Sequence, residues 1–361
     1  MLNNGDNTFQ EIAATISANN AFNEMGMTIG DYDNDGDFDV YSTNISRIED
    51  GISKHNILLK NNWTETNALG FSEIATDSPI NVGNSGWDWG TTFFDANNDG
   101  FVDLATTNGW NQSWGLDQSK LWLNVDGALF NDISASANFN DTEYAASLCA
   151  FDMDRDGDLD LLQTIKISGN GMLPVRLLEN NYSSTPNANN YLVVKPRMNG
   201  TNHFSIGAVV KITYDNGKTG MRLITGGTSF YGQEPAEAFF GLADNSVVYE
   251  IRIEWPDNTV TLVQDVMANQ VITITNDNVL TNNDSEFEKV TVYPNPVKHN
   301  LKINTNIEIG ELQVFNLLGQ KILEYSNVRE INVSQLNQGI YYLKILNTFG
   351  SGSQTIRFIK K

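Results

Sequence analysis

The chain has 361 residues, with 22 Lys and Arg against 44 Asp and Glu, a formal net charge of −22. That balance argues against a nucleic-acid partner and against docking on anionic lipid, since both need clustered cations. One cysteine, Cys149, excludes an intrachain disulfide, and no run approaches the ~18 apolar residues of a membrane span, so the chain is not read as an integral membrane protein.

In chain order, Met1-Leu-Asn-Asn-Gly has neither a charged start nor an apolar run, so no signal peptide is read there. The stretch from Leu2 to Ile12 matches the last two elements of a repeat whose first half is not present. The chain therefore reads as the later part of a longer protein. The repeat then recurs three times. Each opens on a strand-like run: Met25-Gly-Met-Thr-Ile-Gly, Trp89-Gly-Thr-Thr-Phe-Phe and Ala146-Ser-Leu-Cys-Ala-Phe. Next comes an acidic nine-residue loop starting at Asp31, Asp95 and Asp152, so the periods are 64 and 57 residues. A second strand follows each loop, and a third recurs as Leu58-Leu-Lys-Asn-Asn, Leu121-Trp-Leu-Asn-Val and Leu177-Leu-Glu-Asn-Asn. A fourth element, Phe71-Ser-Glu-Ile and Phe130-Asn-Asp-Ile, is found in the first two repeats. Four short strands per repeat predict a β-propeller blade.

The loops carry the chemistry. They hold 13 acidic residues in 27 positions. Oxygen side chains stand at positions one, three, five and nine: Asp31, Asp33, Asp35 and Asp39; Asp95, Asn97, Asp99 and Asp103; Asp152, Asp154, Asp156 and Asp160. Gly36, Gly100 and Gly157 at position six permit a left-handed backbone, and the next residue (Asp37, Phe101 or Asp158) can offer its carbonyl. Without a cation, carboxylates so close would repel and raise one another's pKa. An all-oxygen ligand set favours calcium, about three ions in all. The bland alternative is a surface turn rich in Asp and Gly, which three matched copies make the weaker reading. Helix-flanked calcium hands do not fit, because position twelve is Ser42, Thr106 and Gln163 rather than a bidentate Glu.

Beyond the repeats, residues 182–190 read as a linker and residues 191–274 as a β-rich stretch. A polar linker spans 276–288. The remaining residues, 289–361, hold about seven short strands and predict a small Ig-like β-sandwich. No stretch has convincing helical periodicity. His55, His203 and His299 are scattered, and Cys149 occupies the place of Thr28 and Thr92, so it is read as a buried small strand residue. Five tryptophans (Trp87, Trp89, Trp110, Trp114 and Trp122) fall in the second repeat. Blade packing explains them, although Trp110 and Trp114 could form an aromatic face for a glycan or a protein partner.

Three resemblances cover nearly the whole chain. Residues 1–185, with Gly26-Met-Thr-Ile-Gly-Asp-Tyr-Asp-Asn-Asp-Gly-Asp-Phe-Asp-Val40, resemble FG-GAP/VCBS blades, which implies a partial propeller with calcium at the loop residues named above. Residues 186–275, with Ile206-Gly-Ala-Val, Gly226-Gly, Phe240-Gly-Leu242 and Trp255-Pro-Asp257, resemble the ASPIC/UnbV domain of cartilage acidic protein. Residues 289–361 resemble the type A sorting domain of the type IX secretion system of Bacteroidota. Their signature pieces are Val292-Tyr-Pro-Asn-Pro296, Val314 to Lys321, Leu336 to Leu343 and the basic end Phe358-Ile-Lys-Lys361. In that region the two prolines are expected to fix a turn before the first strand, and Gly319 a tight hairpin. This last resemblance implies passage through the periplasm to the cell surface or beyond, with the secretion machinery as a partner.

The resulting expectation is an all-β chain: propeller blades, an ASPIC/UnbV β domain and a C-terminal sandwich. Its expected function is as a secreted or surface calcium-binding module for a glycan or protein, with no catalytic residues assigned. The rival reading is a polysaccharide hydrolase or lyase using carboxylates on the propeller face.

Overall fold

β-Branched and aromatic runs, broken by Asn, Asp and Gly turns, fold the described residues mainly into antiparallel sheets. The computed structural model describes residues 1–19, 23–45, 48–49, 52–53, 55–108, 117–166, 175–185, 188–276, 290–305, 309–316, 320–347 and 353–361. Two compact units result, Met1–Asn276 and Asp277–Lys361.

The first unit opens with a hairpin, β1 (Leu2–Asn3) and β2 (Phe9–Gln10). Blade one contains β3 (Glu24–Gly30) and β4 (Asp39–Asn44). A small outer hairpin, β5 (Ile48–Glu49) and β6 (Ile52–Ser53), precedes β7 (Ile57–Asn61). A single helical turn, α1 (Trp63–Thr66), then leads to β8 (Phe71–Glu73). Blade two is β9 (Asp88–Phe94), β10 (Asp103–Asn108), β11 (Lys120–Val125) and β12 (Leu129–Asp132). Blade three is β13 (Tyr144–Phe151), β14 (Asp160–Lys166) and β15 (Val175–Leu178). Blades one and two thus have four strands in the order they occur in the chain, and blade three has three. In each blade an acidic loop joins the first two strands.

Blades stack face to face on apolar side chains. Tyr41, Leu58 and Val82 of blade one meet Phe93, Leu104, Trp122 and Phe130 of blade two. Ala105, Leu121 and Phe139 of blade two meet Leu148, Ala150 and Leu161 of blade three. Trp87 and Trp122 are buried, as packing in the blade requires, whereas Trp110 and Trp114 lie outside the described residues.

Two further sheets complete this unit. One joins β16 (Asn190–Met198) to β19 (Ala238–Ala243) and, in parallel, to β22 (Gln270–Asn276). The other contains β17 (Val209–Tyr214), β18 (Lys218–Leu223), β20 (Val247–Glu254) and β21 (Val260–Met267). They enclose a core that includes Leu192, Val210, Ile212, Phe240, Ile251 and Trp255. The segment between β18 and β19 crosses the inner strands of all three blades. Ser229 exchanges backbone hydrogen bonds with Met27, and its hydroxyl accepts from the N–H groups of Thr91 (3.0 Å) and Leu148 (3.1 Å). Glu234 accepts from the Thr92 hydroxyl and from Ala150 N–H. Cys149 is half-buried beside Gly232. These contacts tie the blades to the domain that follows them.

The second unit pairs β23 (Thr291–Tyr293), β24 (Asn300–Asn304) and β27 (Glu330–Asn332) in one sheet. A second sheet holds β25 (Ile309–Phe315), β26 (Lys321–Ser326), β28 (Gly339–Asn347) and β29 (Ser353–Lys360). Leu301, Leu312, Val314, Leu343, Ile345 and Phe358 form its sandwich core. One expectation is corrected. Pro294 and Pro296 follow β23 rather than precede the first strand, because Val292 pairs with Ile303 and draws the preceding residues into the sheet. Gly319 and much of the 276–288 linker lie outside the described residues.

Candidate metal centre

The three loops share one backbone. Position four is left-handed in each, with φ of 55° at Asn34, 55° at Asn98 and 66° at Arg155. The position-six glycines lie at 100°, 99° and 98°, where a side chain would be strained. Neighbours press on two of them as well. A Cβ on Gly100 would lie 2.5 Å from the Tyr214 hydroxyl oxygen, and one on Gly157 2.1 Å from the Tyr191 ring.

Position nine anchors each loop to its blade. Asp39, Asp103 and Asp160 are buried at the start of the second strand. Each accepts from the position-two N–H: Tyr32 at 3.2 Å, Ala96 at 2.8 Å and Met153 at 2.9 Å. Each also accepts, at 2.8 Å, from the backbone N–H of an asparagine closing the third element: Asn61, Asn124 and Asn180. At position one, Asp31 and Asp95 each accept from the N–H groups of positions five and six.

The carboxylates gather differently in the three loops. Asp31, Asp33 and Asp39 bring one oxygen each within 4.8 Å of one another, as do Asp152, Asp154 and Asp160. Asp35 and Asp37 form a second group with Glu65 of α1. In loop two no three carboxylates converge among the described residues. There Asn97 turns inward, its amide nitrogen donating to Asp99 at 3.0 Å, and Phe101 N–H also donates to Asp99. In loop three, Asp156 accepts from the Ser183 hydroxyl and Asp158 from Ser183 N–H at 2.7 Å.

Burial makes these charges costly. It pushes Asp31 up to about 7, helped by the charges of Asp35 and Asp33. Asp39 is pushed up to about 8 and Asp158 to about 6, again mainly by burial. Asp95 rises to about 7 through burial and the Asp99 charge, and Asp103 rises well above the carboxylate range. Asp33, Asp37, Asp99 and Asp152 also shift upward, each chiefly because it is buried. Nearby cations offset part of this cost. Lys60 pairs with Asp33, Asp35 and Glu65. Arg222 of β18 stacks over the Phe240 ring at 5.1 Å; burial lowers its pKa, and the charges of Asp95 and Asp31 oppose that shift.

The donor set fits a hard cation. Asp33 Oδ1, Asp37 Oδ1, Asp158 Oδ1 and both oxygens of Asp152 are buried without a hydrogen-bond partner. Buried carboxylate oxygens are rarely left so, and a bound cation is the ordinary way to satisfy them.

Links between loops run round the arc. The Asn34 amide donates to Gly100 O (3.2 Å) and the Asn98 amide to Gly157 O (2.8 Å). Loop three carries Arg155 in that place, which pairs at 3.1 Å with Glu237 of the following domain. The Asn124 amide reaches back to Tyr32 O (2.7 Å) and the Asn180 amide to Ala96 O (2.8 Å). Sequence reading missed Lys60, Glu65, Arg222 and these asparagine links. Only the asparagines carried a signal, the Asn that recurs after each third strand.

The fold and loops define an all-β protein built from propeller blades with acidic inter-strand turns. Comparison with known families assigns its parts: residues 1–42 match the FG-GAP-like repeat, residues 198–281 match ASPIC and UnbV, and residues 291–361 match the secretion system C-terminal sorting domain. The chain therefore carries an FG-GAP-like repeat, an ASPIC/UnbV domain and a secretion system C-terminal sorting domain, and the last implies export to the cell surface or the extracellular space. A sorting domain of this kind implies contact with the secretion machinery. No curated protein matches at a significant level. Among solved structures, PorZ, a surface component of the type IX secretion system of Porphyromonas gingivalis, aligns at 11% identity with a TM-score of 0.23. The alignment covers 97% of this chain but 53% of PorZ, so this chain spans about half that length. The CD2-binding domain of CD58 aligns at 9% identity (46% of this chain, 95% of that one, TM-score 0.16). The Bacillus anthracis TIE protein aligns at 13% identity (56% and 40%, TM-score 0.17). At these scores the likenesses bear on neither fold nor function. No helix among the described residues is long and apolar enough to cross a membrane.

Proposed function

We propose that each acidic loop binds one calcium ion and that the stiffened blades serve as a surface binding module for a glycan or protein. The ligands are Asp31, Asp33, Asp35, Asp39 and the Asp37 carbonyl in loop one. In loop two they are Asp95, Asn97, Asp99, Asp103 and the Phe101 carbonyl. In loop three they are Asp152, Asp154, Asp156, Asp160 and the Asp158 carbonyl. The reading rests on Asp33 Oδ1 in loop one and the two oxygens of Asp152 in loop three, ligand atoms that are buried without a hydrogen-bond partner. A bound cation would satisfy them and offset the burial, and the lesser mutual repulsion, that lift their pKa values. Loop two has one carboxylate ligand fewer and, among the described residues, no convergent trio, so it should hold its ion most weakly.

Calorimetric titration of the metal-free chain with calcium tests the sites. Asp35→Ala and Asp156→Ala should each remove about one bound ion, and an unchanged stoichiometry refutes those ligands. The module role is tested by screening the loaded chain on glycans. Saturable binding without turnover supports it. Turnover abolished by one carboxylate change outside the loops would instead make the chain an enzyme.

A further inference from the structure

Loop two lies against the domain that follows the blades. Gly241 of β19 packs directly on it: a Cβ there would stand 2.2 Å from Asp95 Oδ2 and 2.4 Å from the backbone of Asn98. Only a residue without a side chain lets a strand run that close to a carboxylate. The motif Phe240-Gly-Leu242 thereby gains a physical reason. Two residues on, Ala243 N–H donates to Asn98 O at 2.8 Å. From β17 the Tyr214 hydroxyl covers Gly100, and the Asn189 amide donates to Asn97 O at 2.9 Å. Arg222 of β18 adds a positive charge that acts on Asp95. The following domain thus touches positions one, three, four and six of this loop. Asp95 is 1% exposed, and Asp103 is fully buried.

An ion held by this loop can leave only as water replaces its ligands one by one. Water cannot reach Asp95 while β19 lies on it, so the strand must lift first. We infer that, on the reading that loop two binds calcium, the domain after the blades is the lid of that site. The ion enters and leaves only when β19 and Asn189 part from the loop. A bound ion in turn holds the domain down, because two linked events stabilise each other equally. Loop two then joins weak binding to slow exchange, since the same lid delays entry and release.

Stopped-flow mixing of the calcium-loaded full chain with a chromogenic chelator tests the lid. The release phase that Asp99→Ala lacks is the one from loop two. Asn189→Ala lies outside the ligand set and removes one tie of the lid. It should speed that phase roughly fivefold and leave the number of bound ions unchanged. Hydrogen exchange reads the coupling in the other direction. Calcium should slow exchange of the Ala243 N–H about tenfold relative to chelator, and Asp99→Ala should abolish that difference. A loop-two phase with the same rate in Asn189→Ala overturns the lid. So does Ala243 exchange that calcium leaves unchanged, or release that keeps every phase in Asp99→Ala. In each of these cases calcium is still bound, so the binding reading stands. A chain that takes up no calcium removes both.

Discussion

The two units of this chain are both mainly antiparallel β structures, yet they bury opposite kinds of side chain. The blade-containing unit buries nine aspartates, among them Asp31, Asp39, Asp95, Asp103, Asp152 and Asp160. The sorting unit buries no carboxylate among its described residues and is filled by Val, Leu, Ile and Phe. Apolar cores draw stability from area removed from water, whereas buried carboxylates cost free energy unless a partner meets them. The first unit should therefore respond to protons and cations, and the second to neither.

The largest effect expected of a single substitution lies in the sorting unit. Leu343 is fully buried, so Leu343→Ala should cost about 3–4 kcal/mol in denaturant unfolding of that unit. Calcium or pH should leave that loss unchanged; a calcium-dependent loss would break the contrast.

A pH series on metal-free protein sharpens it. The folded pKa values of Asp31 (about 7), Asp39 (about 8) and Asp95 (about 7) lie above their ordinary 3.8. The folded unit then holds more protons than the unfolded chain in this window. The contribution of these three groups to its stability is fully present below about pH 4 and is lost as pH rises through 7–8, on the order of a few kcal/mol. Melts in chelator at pH 5 and pH 8 should show this fall in the blade unit alone. With calcium present the trend should weaken, because the ion takes the place of the protons.

A smaller effect is expected at the inter-blade link. Asn124→Ala leaves the buried carbonyls of Tyr32 and Val102 without the amide that now donates to both. The cost should be about 2 kcal/mol in thermal unfolding of the blade unit. The smallest is Arg155→Ala. Its pair with Glu237 is half-exposed, so the change should cost below about 1 kcal/mol. A larger loss would mean that the loop-three end of the arc depends on that ion pair.

Much of this was legible in the sequence because the repeat is local. The loop, its glycine and the flanking strands lie within a few residues of one another, and their spacing located the strands of the blades. The acidic clusters of loops one and three were legible as far as their carboxylates, whereas those of loop two do not converge. What the sequence hid lies far apart along it. Ser229 meets Thr91 across 138 positions, Glu234 meets Thr92 across 142, and Arg222 reaches the loops from another domain. The proline turn was misplaced because proline marks a turn without saying which side of it pairs. Lys60 gave no signal, since a lone lysine next to a recurrent Asn looks like any exposed strand residue.

The most direct measurement is differential scanning calorimetry of the full chain with calcium and then with excess chelator, using the sorting unit as internal reference. Withdrawing the ion should lower the transition of the blade unit by roughly ten degrees or more while that of the sorting unit stays in place. If both transitions keep their temperatures after chelation, the acidic turns hold no stabilising cation.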